Sequence, residues 1–158
     1  KFRMGFVNDV SVGAFNLHTV LDWQNGGSIL NLTKLLYDFG QVTKDYDKPI
    51  PGDTVTVGRR RIKGFGKVTT NWIESASFLK LRELTVSYNL PRSVVGGLWR
   101  GASYARVSLS AKNLFLSAPY DGLDPEVSNF GNQPIARNID VAPFPPSRSF
   151  WLTVDMGF

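Results

Sequence analysis

The segment from Phe150 to Phe158 alternates strictly. Phe150, Leu152, Val154, Met156 and Phe158 are apolar, and Thr153, Asp155 and Gly157 between them are small or polar. Successive side chains of a strand point to opposite faces, so this pattern predicts a strand with one oily and one polar face. Four more segments read the same way. The first two cover residues 2–8 and 12–24, with a tight turn expected near Asn8 and Asp9. In the second of these, Phe15, Leu17, Thr19, Leu21 and Trp23 share one face; Asn16, His18, Val20, Asp22 and Gln24 share the other. Residues 77–90 set Leu84, Val86, Tyr88 and Leu90 opposite Glu83, Thr85, Ser87 and Asn89, and Pro91 ends the strand. Residues 103–117 set Ala105, Val107, Leu109, Ala111 and Phe115 opposite Arg106, Ser108, Ser110, Lys112 and Leu114.

The connections differ in length. Residues 25–76 form a long one that opens with Gly26-Gly27-Ser28. Inside it Leu32, Leu35, Leu36 and Phe39 recur at helical spacing and predict a short helix, capped by Asn31 or Ser28 and ended by Gly40. Residues 44–64, including Arg59-Arg60-Arg61, read as a solvated loop. Residues 91–102 make a shorter link, and residues 118–147 a long one punctuated by prolines. Counted back from the last strand, the links run long, shorter, long, short. Outer-membrane barrels alternate in this way, with short periplasmic turns and longer external loops.

The fold class this predicts is all-β: an antiparallel transmembrane β-barrel segment of about five strands, with a short helix in an extracellular loop. Residues 1–158 form that one segment, with no separate second domain. Closure needs at least about eight strands, and an open edge in lipid is not tolerated, so further strands outside this sequence are required. The break in pattern at Phe78–Arg82, where Lys80 and Arg82 fall in step with the oily positions, fits a strand running past the bilayer into water or a bulge that shifts the phase. The alternative architecture is a soluble secreted β-sandwich binding carbohydrate or other ligands, its oily faces covered by a second layer.

Composition narrows the chemistry. The chain has 158 residues, no cysteine, a net charge of +5 and 13% aromatic residues. Disulfides and thiol chemistry are thereby excluded. The basic residues are scattered, so no nucleic-acid surface is expected. No run approaches the ~18 apolar residues of a membrane helix. Lys1-Phe2-Arg3-Met4-Gly5-Phe6 has no signal-peptide character and already alternates, as a piece of a longer chain would.

Four stretches carry a family resemblance. They are Ser77-Phe78-Leu79-Lys80-Leu81-Arg82-Glu83-Leu84-Thr85-Val86-Ser87-Tyr88-Asn89-Leu90-Pro91, Ala111-Lys112-Asn113-Leu114-Phe115, Tyr120-Asp121-Gly122-Leu123-Asp124-Pro125-Glu126-Val127, and the terminal strand. In this order they resemble the C-terminal part of SusC/RagA-type TonB-dependent outer-membrane transporters of Bacteroidetes. The segment Gly26…Asn31-Leu32-Thr33…Gly40 is similar to a loop helix of that family. The resemblance implies a barrel of twenty-two strands with a plug, located in the cell outer membrane and importing nutrients with energy from the TonB complex. It also implies a SusD-like surface lipoprotein that captures glycans or peptides. The segment's partners would then be the remaining strands and plug, that lipoprotein, TonB through a missing N-terminal part, and outer-membrane lipid.

Candidate functional residues follow. Phe150, Leu152, Val154, Met156 and Phe158 would form the insertion signal. Asn16, Asp22, Arg106, Lys112 and Asp155 would face the lumen, with Asp155 near Arg106 or Lys112. Tyr37, Tyr46, Trp72, Tyr120 and Phe130 are expected as exposed loop aromatics able to meet a ligand or partner. Trp23 and Trp72 suit an outer aromatic girdle and Tyr88 a periplasmic one. His18 lacks a second histidine for a metal site and reads as a polar wall residue. Asp121, Asp124 and Glu126 have spacing that calcium could use, but backbone turns explain them more simply. No catalytic constellation and no cofactor motif is found, so no enzyme is expected.

Overall fold

The computed structural model describes residues 1–98, 101–127 and 138–158. Their elements run β1 (Phe2–Val12), β2 (Phe15–Asn25), β3 (Ser28–Asn31), α1 (Leu32–Phe39), α2 (Val57–Lys63), a 3-10 turn (Thr69–Trp72), β4 (Ile73–Ser75), β5 (Phe78–Asn89), α3 (Arg92–Leu98), β6 (Tyr104–Ser117), β7 (Ile139–Asp140) and β8 (Ser149–Gly157). They divide into two units. A sheet unit holds residues 2–24, 78–117 and 146–158; a loop unit holds residue 1, 25–77 and 118–145.

In the sheet unit, the five alternating strands form one sheet in the order β1-β2-β5-β6-β8. The pairings from β2 to β8 are antiparallel. Register matches like with like. Across β2 and β5, Phe15, Leu17, Thr19, Leu21 and Trp23 pair with Tyr88, Val86, Leu84, Leu81 and Leu79. Across β6 and β8, Ala105, Val107, Leu109 and Ala111 pair with Met156, Val154, Leu152 and Phe150. Between these lie the polar pairs, among them Asn16 with Ser87, His18 with Thr85, Asp22 with Lys80, Ser108 with Thr153 and Arg106 with Asp155.

The break at Phe78–Arg82 is a bulge. Val20 pairs with Glu83 and Leu21 with Leu81, so Arg82 is the extra residue. One inserted residue reverses the phase. Leu79 and Leu81 therefore join the apolar face, and Phe78 and Lys80 the polar one. The opposing strand is irregular at the same level, with Asn113 at φ 55°.

Several expectations need correction. The first turn lies at Gly13-Ala14, after an eleven-residue β1, and not near Asn8-Asp9. Alternation simply continues through Asn8, and Gly13 supplies the positive φ of 60° that the turn requires. The 91–102 link contains α3, whose Val95 is buried. Its Gly96-Gly97 had suggested a loop only. Residues 44–64 contain α2, and Arg61 on it is buried.

The loop unit is built on a second sheet, in the order β4-β3-β7. Strands this short give no periodic signal. The expected helix is present as α1: the Asn31 side chain accepts from the Lys34 N–H at 2.8 Å, and Gly40 follows the last turn. Its buried anchor is Asp38 and not the leucine stripe; Leu36 and Phe39 stay half exposed.

Candidate functional site

The sheet unit presents two chemically opposite faces. On the apolar face, Phe15 (56%), Leu109 (54%), Phe115 (50%), Phe150 (66%) and Leu152 (72%) remain exposed. Within the sheet unit no second layer of described residues covers them, as a sandwich would require. Aromatic pairs sit near both ends of this face. Phe2 meets Trp23 edge-on at 4.8 Å, and Phe15 meets Tyr88 at 4.7 Å. Phe15 and Trp23 are eight residues apart on β2, about 26 Å of strand at ~3.3 Å per residue. Tilted by about 35–45°, that length rises ~20 Å, most of the ~25 Å apolar band of a membrane barrel, which aromatic girdles flank.

The opposite face is polar and knitted together. Arg3 donates to Asp22 at 2.7 and 3.2 Å, and Arg82 donates to the same carboxylate at 2.5 and 2.7 Å. Lys80 lies 4.9 Å from the Phe78 ring centre, and the Arg3 and Arg82 guanidinium carbons 5.6 and 5.9 Å from it. Ser108 donates to Ser87 at 2.9 Å, and His18 pairs with Asp9 at 2.6 Å. Asn16, Asp22, Arg106, Lys112 and Asp155 all lie on this face. Asp155 stands directly across from Arg106, whose Nε donates to Asn89 at 2.8 Å; Lys112 lies 3.9 Å from Glu83.

The loop unit holds two charge networks. Arg61 is the centre of the first. Its guanidinium grips Asp38 at 2.6 and 2.7 Å, Asp45 at 2.8 Å twice, and Thr43 at 3.2 Å. Asp38, wholly buried, also accepts from Trp72 Nε1 at 2.9 Å and Thr43 at 2.7 Å. Burial pushes the Asp38 carboxyl up, but the donors, Arg61 foremost, outweigh it and hold the group below the ordinary carboxylate range. Hydrogen bonds from Arg61 lower Asp45 likewise.

Lys34 organises the second network. Its ammonium donates to Glu74 at 2.9 Å and to Asp121 at 2.7 Å, and Lys44 pairs with the other Asp121 oxygen. Bonds from the two lysines hold Asp121 below its usual range. Nearby, Thr33 and Tyr120 both donate to the buried Asp140. Burial and then that carboxylate push the Tyr120 hydroxyl above its ordinary value.

These groups border a cleft of about 550 Å³. Lys34, Asp121 and Asp140 lie among its polar lining, while Tyr37, Val42, Leu123 and Phe144 are exposed apolar lining residues. Apolar groups clustered around convergent polar ones are the usual make-up of a ligand pocket. Of its lining, the sequence singles out Tyr37 as a loop aromatic and Asp121 as a turn or calcium candidate. Thr33 and Asp140 meet from positions over a hundred residues apart, and no local pattern announces that.

The other loop aromatics differ from expectation. Tyr46, Trp72 and Tyr120 are buried, at 6%, 3% and 7%. Trp72 is tied to Asp38 and is not a girdle residue. Tyr46 lies on Gly58, where a Cβ would come within 2.1 Å of its ring. Phe130 lies outside the described residues. Asp121 is engaged by lysines, and Asp124 accepts from the Glu126 N–H at 2.8 Å, a turn contact. Among the described residues no group of three acidic or histidine side chains is arranged to hold a metal.

A two-faced sheet with its apolar face uncovered, bounded by aromatics, is a segment of transmembrane β-barrel wall. Comparison with known proteins agrees. No family model matches the chain. The chain is 31% identical over 164 residues to TonB-dependent receptor P3 of Formosa agariphila, covering 99% of this chain and 16% of that protein. It is 30% identical over 90 residues to TonB-dependent receptor P26 of the same organism, covering 55% of this chain and 9% of that one. Its fold matches the RagAB peptide importer in the closed-closed state with a TM-score of 0.72 at 24% identity, covering 99% of this chain and 17% of that one. The open-open state matches at 0.64 and 22% identity, covering 99% and 17%. Along 99% of its length the chain is thus similar to a TonB-dependent receptor; it has the fold of the RagAB barrel and spans about a sixth of the length of those chains.

Proposed function

We propose that this chain is the closing segment of an outer-membrane nutrient importer powered through TonB. Its sheet completes a barrel with strands outside this sequence, its polar face lines the lumen against a plug, and its loop unit is extracellular. The segment is non-enzymatic. The terminal alternation from Phe150 to Phe158 acts as the signal read during membrane insertion. In this reading a SusD-like surface lipoprotein delivers glycan or peptide fragments, and the loop cleft beside Tyr37 offers contacts to substrate or lipoprotein.

The observation that carries this reading is the uncovered apolar face, matched pair by pair across four strands. In water such a face would aggregate; in lipid it is the required surface. Topology supplies the test. Antiparallel order sends the links after Gln24 and Ser117 from one end of the sheet and the Gly13-Ala14 turn from the other. An epitope inserted after the exposed Gly52 of the full-length protein should be labelled by antibody on intact cells. One inserted between Gly13 and Ala14 should be labelled only after the outer membrane is permeabilised. Labelling of both, or the reverse pattern, would overturn the assignment.

A further inference from the structure

The pairing of β6 with β8 runs from Tyr104 opposite Gly157 to Lys112 opposite Ser149. A slip of one residue would turn Phe150, Leu152, Val154 and Met156 onto the polar face, so the pattern forbids it. A slip of two residues would not. Positions 105, 107, 109 and 111 and positions 150, 152, 154 and 156 are all apolar, so any even shift still sets apolar against apolar. The apolar face leaves the register of the last strand undecided between alternatives about 7 Å apart, two strand rises. The other face has to choose.

Three contacts at the Gly157 end make that choice. The Ser103 N–H and Ser103 Oγ both donate to the Gly157 carbonyl, at 2.7 and 3.0 Å. The Tyr104 ring lies across Gly157, where a Cβ would come 2.2 Å from Cε1 and 2.6 Å from Cδ1. One polar step further, Arg106 stands opposite Asp155. A bare glycine in an edge strand leaves its backbone uncovered, and an aromatic ring laid over it from the neighbouring strand restores the contact. Only one register offers this. A two-residue slip sets Tyr104 against Asp155 in one direction, or Arg106 against Gly157 in the other; neither puts glycine under the ring.

We infer that Ser103, Tyr104 and Gly157 form a clasp that selects the register of β8 on β6 during assembly, with Ser103 and Tyr104 as positioning residues. The inference rests on the sheet unit being barrel wall. Its consequence is specific: the far edge of β8 joins a strand outside this sequence, so a slipped β8 would displace the seam of the whole barrel.

Cysteine cross-linking in the membrane-assembled full-length protein tests this. Val107→Cys with Val154→Cys reports the observed register, because directly opposed residues lie within disulfide reach. Val107→Cys with Leu152→Cys or with Met156→Cys reports the two slipped registers; as diagonal neighbours in the observed sheet, those pairs stand about 7–8 Å apart, too far to bridge readily. Unsubstituted protein and Tyr104→Phe should cross-link at 107/154. Tyr104→Ala and Gly157→Val should each lower the ratio of 107/154 to slipped products roughly five- to tenfold, the worth of one aromatic cross-strand contact. If either fails to reach the membrane, the same ratio is read after refolding into detergent micelles. An unchanged ratio in Tyr104→Ala overturns the clasp, as does a Tyr104→Phe ratio that falls as far as that of Tyr104→Ala. A background protein found soluble, with no 107/154 product, would overturn the barrel reading beneath it.

Discussion

Arg61 gives the sharpest case of a residue whose role its neighbours in sequence conceal. In Arg59-Arg60-Arg61 it reads as one of three solvated charges, yet it is buried and holds two carboxylates 16 and 23 positions upstream. The signal is absent because ion pairing across a loop has no period. Tyr46, Trp72 and Tyr120 were misread for a related reason. Composition marks them as loop aromatics, but their burial depends on distant partners: a glycine for Tyr46, and buried carboxylates for Trp72 and Tyr120. Removing one member of a buried pair costs ~3–5 kcal/mol, mostly by stranding the other charge. Arg61→Leu should therefore unfold the packing of α1 on α2, and Arg61→Lys should do so partially, since an ammonium cannot make two forked contacts. The sign of the pH dependence follows from the depressed carboxyls of Asp38, Asp45 and Asp121. Their stabilisation is fully present above the ordinary carboxylate value near ~4 and drains away as pH falls through their lower folded values. Hydrogen exchange of the 32–46 and 57–64 peptides, corrected for intrinsic rate, should lose protection in Arg61→Leu at pH 7 and in unsubstituted protein below about pH 4. Unchanged protection in both would contradict the network's role.

Period two placed β5, β6 and β8 to within a residue at each end, started β2 three residues early and stopped β1 four residues short, and it failed where an element is short or interrupted. The three-stranded sheet of the loop unit has strands of four, three and two residues, too brief to alternate visibly. In α3, paired glycines mask a helix anchored by buried Val95. In β5 the interruption is itself informative. Arg82 shifts the phase so that Phe78 and Lys80 join Asp22 on the polar face while Leu79 and Leu81 stay with the oily one. The bulge and the side chain therefore have separable effects. Arg82→Ala should remove the side chain's contacts, among them the hydrogen bonds to Asp22 and the approach to the Phe78 ring, and leave an assembled protein. Deleting residue 82 should restore unbroken alternation with Lys80 still on the polar face and assemble as Arg82→Ala does, whereas inserting one alanine after Arg82 should send Lys80 to the lipid face, where lysine costs up to ~2–4 kcal/mol at mid-bilayer, and sharply reduce the heat-resistant folded band on semi-native gels. If the insertion assembled as well as the alanine variant, the bulge would not be setting the faces.

For the molecule as a whole, sequence already carried the fold class and family, because a membrane wall writes itself as repeated alternation plus unequal links. The loop cleft was not legible, since it gathers residues from two long connections and depends on how they fold over one another. Everything said of transport depends on one wall having lipid on one side and water on the other. The direct test is a cysteine scan of residues 150–156 in the full-length protein in its membrane, using a charged, water-borne thiol reagent and a nitroxide quencher dissolved in the lipid. The account predicts strict alternation: positions 150, 152, 154 and 156 refuse the reagent and feel the lipid quencher, while 151, 153 and 155 do the opposite. Uniform labelling along the strand, or protection of the even positions without quenching from lipid, would contradict it.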